Sequence, residues 1–320
     1  MNAEGFWNDV LGEPAALAAM LDAYAAADTP LAGLPSLAGR RVVLIGMGSS
    51  RFAALPAAAA LRAHGVHAVA ELASTGAPTL PGKDVVAIAI SASGATEETV
   101  EALARHAGGS RTVAITNHPD GPLAAASEVV LPLMAGEETG GVSCRTFQTT
   151  VALLHLVAGA SAADLRPAVD VQAALLEARD TWLDPLLDAL DGAKAVHALA
   201  PDERIASALE SALMLREGPR VAAAASETGD WLHVDVYLTK YPGYRALLFG
   251  GSRFDSGVMR WARERESTIV AVGRHVEGAA LTVRFERADE PLVCSLVETS
   301  VVELAAAEWW RRRLAADQMP

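Results

Sequence analysis

The chain reads as an α/β protein with two tandem doubly wound parallel-sheet subdomains behind an N-terminal helical arm. Three observations predict this. Short apolar β-type runs alternate with alanine-rich helical segments, as in parallel strands covered on both faces. The alternation pauses at a long helical connector and then restarts, which gives two copies of one βαβ plan by pattern rather than by letter. The length, 320 residues, exceeds one ordinary core at roughly 100–200 residues per domain. The boundaries fall at 1–35 for the arm, 36–163 for the first subdomain and 164–320 for the second.

The arm comes first. Phe6–Ala27 has amphipathic helical spacing interrupted by Pro14, so two pieces are expected. Asp28–Gly39 carries Pro and Gly in linker proportions. Strand-like runs of the first subdomain are Arg41–Ile45, Val85–Ile90, Thr112–Ile115 and Val129–Leu131, with helices expected over Phe52–His64, Glu97–Ala107 and Val142–Gly159. Ala162–Asp191 is the connector, punctuated by Pro167 and Pro185. In the second subdomain the strand-like runs are Ala195–Leu199, Val221–Ala225, Arg245–Phe249, Thr268–Val272 and Leu281–Phe285. Its helices are expected over Glu203–Arg216, Phe254–Glu264 and Cys294–Leu314.

Composition excludes several functions. Lys+Arg is 26 against 39 Asp+Glu, a formal net charge of −13, which disfavours nucleic acid and anionic membrane surfaces. Hydrophobic residues at 51% exclude a disordered chain. The two cysteines, Cys144 and Cys294, form no disulfide framework or zinc spacing, and the acidic N-terminus lacks a signal-peptide pattern, so the expected setting is the cytoplasm. Thr146–Ala163 is the longest charge-free stretch, but its Gln148, threonines and His155 mark a buried helix rather than a membrane span. Histidine spacing offers no metal site, and no cofactor is expected.

Two turns carry chemistry. Arg41–Ile45 runs into Gly46-Met47-Gly48-Ser49-Ser50, and Val85–Ile90 into Ser91-Ala92-Ser93-Gly94-Ala95-Thr96-Glu97-Glu98, each opening a helix. Helix N-termini supply unpaired N–H groups and partial positive charge, glycine allows close backbone approach, and hydroxyls at Ser91, Ser93 and Thr96 add donors. Such a pair of turns holds a phosphate without lysines. The plainer alternative is that these Ser and Thr residues only cap their helices.

These residues resemble the sugar isomerase (SIS) domain family. The resemblance rests on G-M-G-S-S at 46–50, S-A-S-G-A-T-E-E-T at 91–99 and E-T-G-G-V-S-C-R-T-F at 138–147, with W-N-D-V-L-G-E-P at 7–14 similar to the N-terminal helix of its tandem members. Those members are the isomerase half of glucosamine-6-phosphate synthase and stand-alone phosphosugar isomerases and deaminases. Ala206–Glu217 resembles the helix that ends in the family's proton-transferring base, which puts that role on Glu217. Gly229–His233 is similar to the element whose histidine assists ring opening, often from a neighbouring subunit, which puts that role on His233 and implies a homodimer. The resemblance further implies phosphate binding by Ser49, Ser91, Ser93 and Thr96, and sugar contacts from Gly48, Ser50 and Ser143, with Glu138 ordering the sugar site or simply starting a helix.

The departures bear on chemistry. The synthase tail that carries a Schiff-base lysine has no counterpart after Asp317-Gln318-Met319-Pro320, and the chain has three lysines, Lys83, Lys194 and Lys240. Met214 and Arg145 stand where the family has lysine, and no glutaminase domain is expected. The expected function is therefore isomerisation or deamination of a sugar 6-phosphate. The alternatives are a phosphosugar sensor without catalysis and a deglycase or lyase on a sugar-6-phosphate adduct. Trp309–Arg313 is read as a last helical turn rather than a nucleic-acid patch.

Overall fold

The structure, a computed structural model, describes residues 1–317, so positions 318–320 of the D-Q-M-P ending lie outside the described residues. It divides into two compact units. One contains Ala15–Glu137 and Arg145–Arg166; the other contains Met1–Pro14, Glu138–Cys144 and the chain from Pro167 onward. The chain opens with α1 (Ala3–Leu11) and α2 (Glu13–Ala25), broken at Gly12 rather than at Pro14, because proline is tolerated in a first helical turn.

The first unit holds β1 (Arg41–Gly46), α3 (Gly48–Ala63), β2 (His67–Leu72), β3 (Val85–Ile90), α4 (Glu97–Ala104), β4 (Arg111–Thr116), α5 (Pro122–Ala125), β5 (Val129–Pro132), α6 (Arg145–Val157) and α7 (Ala162–Leu165). All pairs are parallel, in the order β2-β1-β3-β4-β5. Every residue of β3 is buried, as a central strand covered on both faces requires. The chain reverses its direction of travel across the sheet between β1 and β3, where Ile45 lies opposite Ala89. At this switch point the carboxyl ends of neighbouring strands leave an open crevice.

One expectation is corrected here and one is met. The sequence reading had no strand at 67–72. β2 is an edge strand with only Ala68 buried, and its apolar residues, Ala68–Ala70 and Leu72, are split by Glu71 and lack the long buried run of a central strand. The charge-free stretch Thr146–Ala163 folds as α6, a turn and the Ser161-capped α7, and no helix among the described residues is long and apolar enough to cross a membrane.

The second unit holds α8 (Pro167–Glu177), α9 (Leu183–Leu190), β6 (Val196–Ala200), α10 (Ile205–Glu217), β7 (Ala223–Glu227), α11 (Thr228–Trp231), β8 (Arg245–Phe249), α12 (Asp255–Glu264), β9 (Thr268–Val272), β10 (Leu281–Val283) and α13 (Pro291–Ala315). The connector thus breaks at Pro167, which starts α8, and again over 178–182, with Pro185 tolerated in the first turn of α9. Its sheet is parallel in the order β7-β6-β8-β9-β10, the same plan as the first. α13 is about 37 Å long at 1.5 Å per residue. Every residue from Val293 to Ala307 is buried, with α1, α8 and α10 packed around it in the same unit. A helix buried on all sides carries few charges, and each needs a partner. Glu298 is paired with the buried Arg204.

α1 and the segment Glu138–Cys144 lock together. Asn2 N–H donates to the Gly140 carbonyl at 2.9 Å, and Gly140 N–H donates to Asp9 Oδ2 at 2.7 Å. Gly140 lies so close to the Phe6 backbone that any Cβ would overlap it.

Candidate functional site

The first switch point is lined by the two turns. After β3, the Ser91 and Thr96 hydroxyls lie 3.0 Å apart and the Ser91 and Ser93 hydroxyls 3.5 Å apart, so three oxygens converge. Gly94 holds the turn at φ +62°, and a Cβ there would come within 2.8 Å of Thr116 Oγ1. Ser91 is buried beneath the opening, Thr96 half-buried and Ser93 exposed.

The geometry separates binding from capping. Thr96 occupies the N-cap position of α4, yet its hydroxyl makes no cap bond and turns to Ser91 instead. Ser93 Oγ accepts from Ala95 N–H at 3.3 Å, a local turn contact. Uncapped first-turn N–H groups of α4 are left for an anionic acceptor.

After β1, α3 starts at Gly48, four residues earlier than the sequence reading had it. Gly48, Ser49 and Ser50 are therefore the first turn of a helix, and its N-cap residue Met47 offers no side-chain bond. The turn stands beside the Ser91 loop because β1 and β3 are hydrogen-bonded neighbours. Sequence reasoning passed over Arg51, in the same first turn. Its Nε is buried without a hydrogen-bond partner among the described residues. The available signal was an arginine directly after G-M-G-S-S.

The other candidates belong to the second unit. Ser143 lies in the Glu138–Cys144 segment, where Cys144 N–H donates to Glu138 Oε1 at 2.7 Å, so Glu138 fixes the peptide that follows Ser143. Glu217 is the last residue of α10, half-buried before Gly218. It accepts no hydrogen bond from the described residues, and burial raises its carboxyl above the usual range, offset in part by Arg216. A desolvated carboxyl without a partner is what a proton-transfer group requires. His233 follows α11 and is exposed, with its backbone N–H on the Asp230 carbonyl at 2.9 Å. Glu217 and His233 share no hydrogen bond. Lys240 Nζ lies 5.4 Å from the Tyr237 ring centroid.

Other expected roles follow the structure. Burial pushes the His155 imidazole down to about 4, consistent with a core residue. Arg311 and Arg312 at the end of α13 pair with Glu4, Glu308 and Asp184. No cluster of three or more His, Cys, Asp or Glu suited to a metal occurs among the described residues.

Comparison with known proteins shows what the chain resembles. The SIS domain family model matches residues 38–160. The glutamine–fructose-6-phosphate aminotransferase [isomerizing] of Pyrobaculum aerophilum is 30% identical over 218 residues, covering 64% of this chain and 36% of that protein. The chain thus spans little more than a third of that relative's length. Among solved structures, the C-terminal domain of glucosamine-fructose-6-phosphate aminotransferase from Francisella tularensis superposes with TM-score 0.77 at 16% identity, covering 95% of each chain. Tagatose-6-phosphate ketose/aldose isomerase from Escherichia coli gives TM-score 0.77 at 18% identity, covering 96% of this chain and 94% of that one. Glucosamine-6-phosphate deaminase from Thermotoga maritima gives 0.73 at 18%, covering 97% and 95%.

Proposed function

We propose that this chain, whose residues 38–160 match the SIS domain family, binds a phosphorylated sugar and moves a proton along that sugar's carbon chain. The observation that carries the reading is the convergence of the Ser91, Ser93 and Thr96 hydroxyls at a switch point, with Thr96 turned away from capping its own helix. In this reading these hydroxyls and Ser49 hold the phosphate, while Gly48, Ser50 and Ser143 contact the sugar.

The chemistry needs one carboxylate. With the sugar in its open-chain form, Glu217 takes the proton from the carbon beside the carbonyl. The electron pair moves toward the carbonyl, whose oxygen takes up a proton to give an enediol; the neighbouring hydroxyl then gives up its proton as the carbon-bound proton returns one carbon over. On an amino-sugar phosphate the same proton movement gives an imine that water hydrolyses, releasing ammonia. Glu217 suits the task because burial raises its pKa while no partner occupies it. His233 serves ring opening, since an imidazole exchanges protons with a ring oxygen near neutral pH. A cytoplasmic homodimer in which His233 serves a neighbouring copy belongs to the same proposal.

The test is incubation with fructose 6-phosphate, glucosamine 6-phosphate and glycated-amine phosphates in deuterated water. Deuterium entering at C1 or C2, and absent with Glu217→Gln, supports the enzyme. Binding without exchange on every compound supports a phosphosugar sensor, the second reading. Cleavage of the adducts alone identifies a deglycase.

A further inference from the structure

The second sheet repeats the first sheet's plan, so it has its own switch point, between β6 and β8. The residues there are of a different kind. The loop after β6 brings Glu203 and Arg204, the loop after β8 brings Gly250 and Gly251, and the loop after β9 brings Arg274. Together with Ala288, Asp289, Pro291 and Cys294 they line a cavity of about 50 Å³. At roughly 10–15 Å³ per water centre, that is room for about four waters, the size of one tetrahedral oxyanion.

Two guanidinium groups meet at Gly251. A Cβ on that glycine would lie 2.9 Å from Arg204 Nη2 and 4.0 Å from Arg274 Nη1. Arg204 is buried and committed, paired with Glu298 and donating to the Gly250 carbonyl at 2.8 Å. Arg274 is exposed and has no hydrogen bond or ion pair among the described residues. The same cavity meets the N-terminus of α13, whose N-cap residue Glu290 makes no side-chain cap bond and whose first turn contains no acid. The full length of α13 aligns its peptide dipoles toward that end.

A second cavity, of about 490 Å³, flanks the Arg274–His275 segment on its other side, lined by Asp255, Ser256, Met259, Arg260, Arg263, His275, Val276 and Glu277. Arg260 and Arg263 are likewise in no ion pair among the described residues, although the chain has 39 acids against 26 bases. Glu203 and Asp289 are exposed at the small cavity's rim. Asp255 lines the larger cavity, accepts from the Gly251 N–H at 2.7 Å and feels the charges of Arg204 and Arg274, which offset part of the rise that burial gives its pKa. Cys294 contributes no anion, because burial pushes its thiol up to about 12. Arg204 already answers Glu298, so the guanidinium open to an anion from outside is that of Arg274.

We propose that the carboxyl edge of the second sheet is a second anion site, in which Arg274, the Gly250–Gly251 turn and the N-terminus of α13 receive a phosphate- or sulfate-type oxyanion. The first switch point reads its anion with hydroxyls and amides, and the second with arginine. A small phosphorylated or sulfated molecule places its oxyanion at Arg274 and the remainder in the larger cavity, beside Arg263 and His275.

The test uses the full chain and inorganic phosphate, followed by calorimetric titration, with inorganic sulfate and acetate as parallel arms. Ser91→Ala/Thr96→Val silences the first switch point. In that background phosphate binds at one site per chain, Arg274→Gln weakens it at least about tenfold, and Lys83→Gln, an equal loss of charge far along the chain, changes it less than about twofold. Sulfate follows phosphate, and acetate binds more weakly. If the background variant loses its native circular dichroism, the unmodified chain decides: two phosphates per chain must fall to one with Arg274→Gln. Arg274→Gln behaving as Lys83→Gln, no binding in a folded background variant, or acetate equal to phosphate overturns the proposal.

Discussion

Thr96 shows how much one hydroxyl can decide. At an N-cap, a threonine that accepts from its helix contributes about 1 kcal/mol to stability. Thr96 makes no such bond, so Thr96→Val should leave the thermal midpoint nearly unchanged. The same substitution removes a donor to a charged phosphate, worth about 1.5–3 kcal/mol, so affinity for fructose 6-phosphate should fall roughly ten- to hundredfold by calorimetry. A midpoint drop with affinity intact would mean the hydroxyl is structural. Glu217 makes a second prediction. Proton abstraction needs its carboxylate, and burial raises the pKa, so exchange must fall as pH drops through a value above the ordinary carboxylate range. A rate–pH profile whose acidic limb sits at or below the ordinary carboxylate pKa would remove Glu217 from the reaction. Arg51 supplies the contrast: as one letter beside a motif it carried no message, and only its buried Nε without a partner makes it a candidate cation.

Among the elements, the segment Glu138–Cys144 is held less by its own sequence than by α1. Gly140→Ala forces a methyl into the Phe6 backbone, an overpacking that costs about 1–3 kcal/mol. Urea unfolding should show that loss, and exchange activity should fall with it because Ser143 shares the segment. Full stability in Gly140→Ala would show that α1 does not clamp it. None of this was legible beforehand, since the contact joins residues more than 130 positions apart. What could be read followed burial. β3 announced itself because both its faces are covered and six apolar residues run together. β2 did not, because an edge strand keeps exposed side chains such as Val69 and Leu72 among polar ones, and nothing local separates that from a loop. The start of α3 was placed late because Gly and Ser are poor helix formers in the interior, whereas a first turn tolerates them. The site's identity was readable for the opposite reason: the serine-rich turns follow strands whose own pattern is unambiguous, so position and residue type spoke together.

At the scale of the molecule, the same five-strand plan is used twice with different chemistry at each switch point, and stability has to absorb what the second unit buries. α13 carries Glu303 into a fully buried place beside Glu13 and near Glu210 and Glu138. Around Glu13, Gln172 Nε2 and Ser300 Oγ each donate to its Oε2 at 2.7 Å. Burial first, then the charge of Glu13, raises the pKa of Glu303 well above the ordinary carboxyl value of 4.5. In the unfolded chain Glu303 ionises near that ordinary value, so the folded state then holds a proton that the unfolded state has released. The contribution of this group to stability is therefore fully present below about pH 4.5 and is lost as pH rises from there through the folded pKa. Glu303→Gln keeps the shape and a hydrogen-bonding amide but has nothing to titrate. The urea midpoint of the unmodified chain should decline between pH 5 and neutrality relative to Glu303→Gln, with the two converging near pH 4. Because both proteins share every other carboxyl, their difference reports the interacting Glu13–Glu303 pair. Parallel curves across that range would mean that Glu303 is already ionised in the folded chain and that the neighbouring amide and hydroxyl donors, rather than a retained proton, keep the two glutamates together.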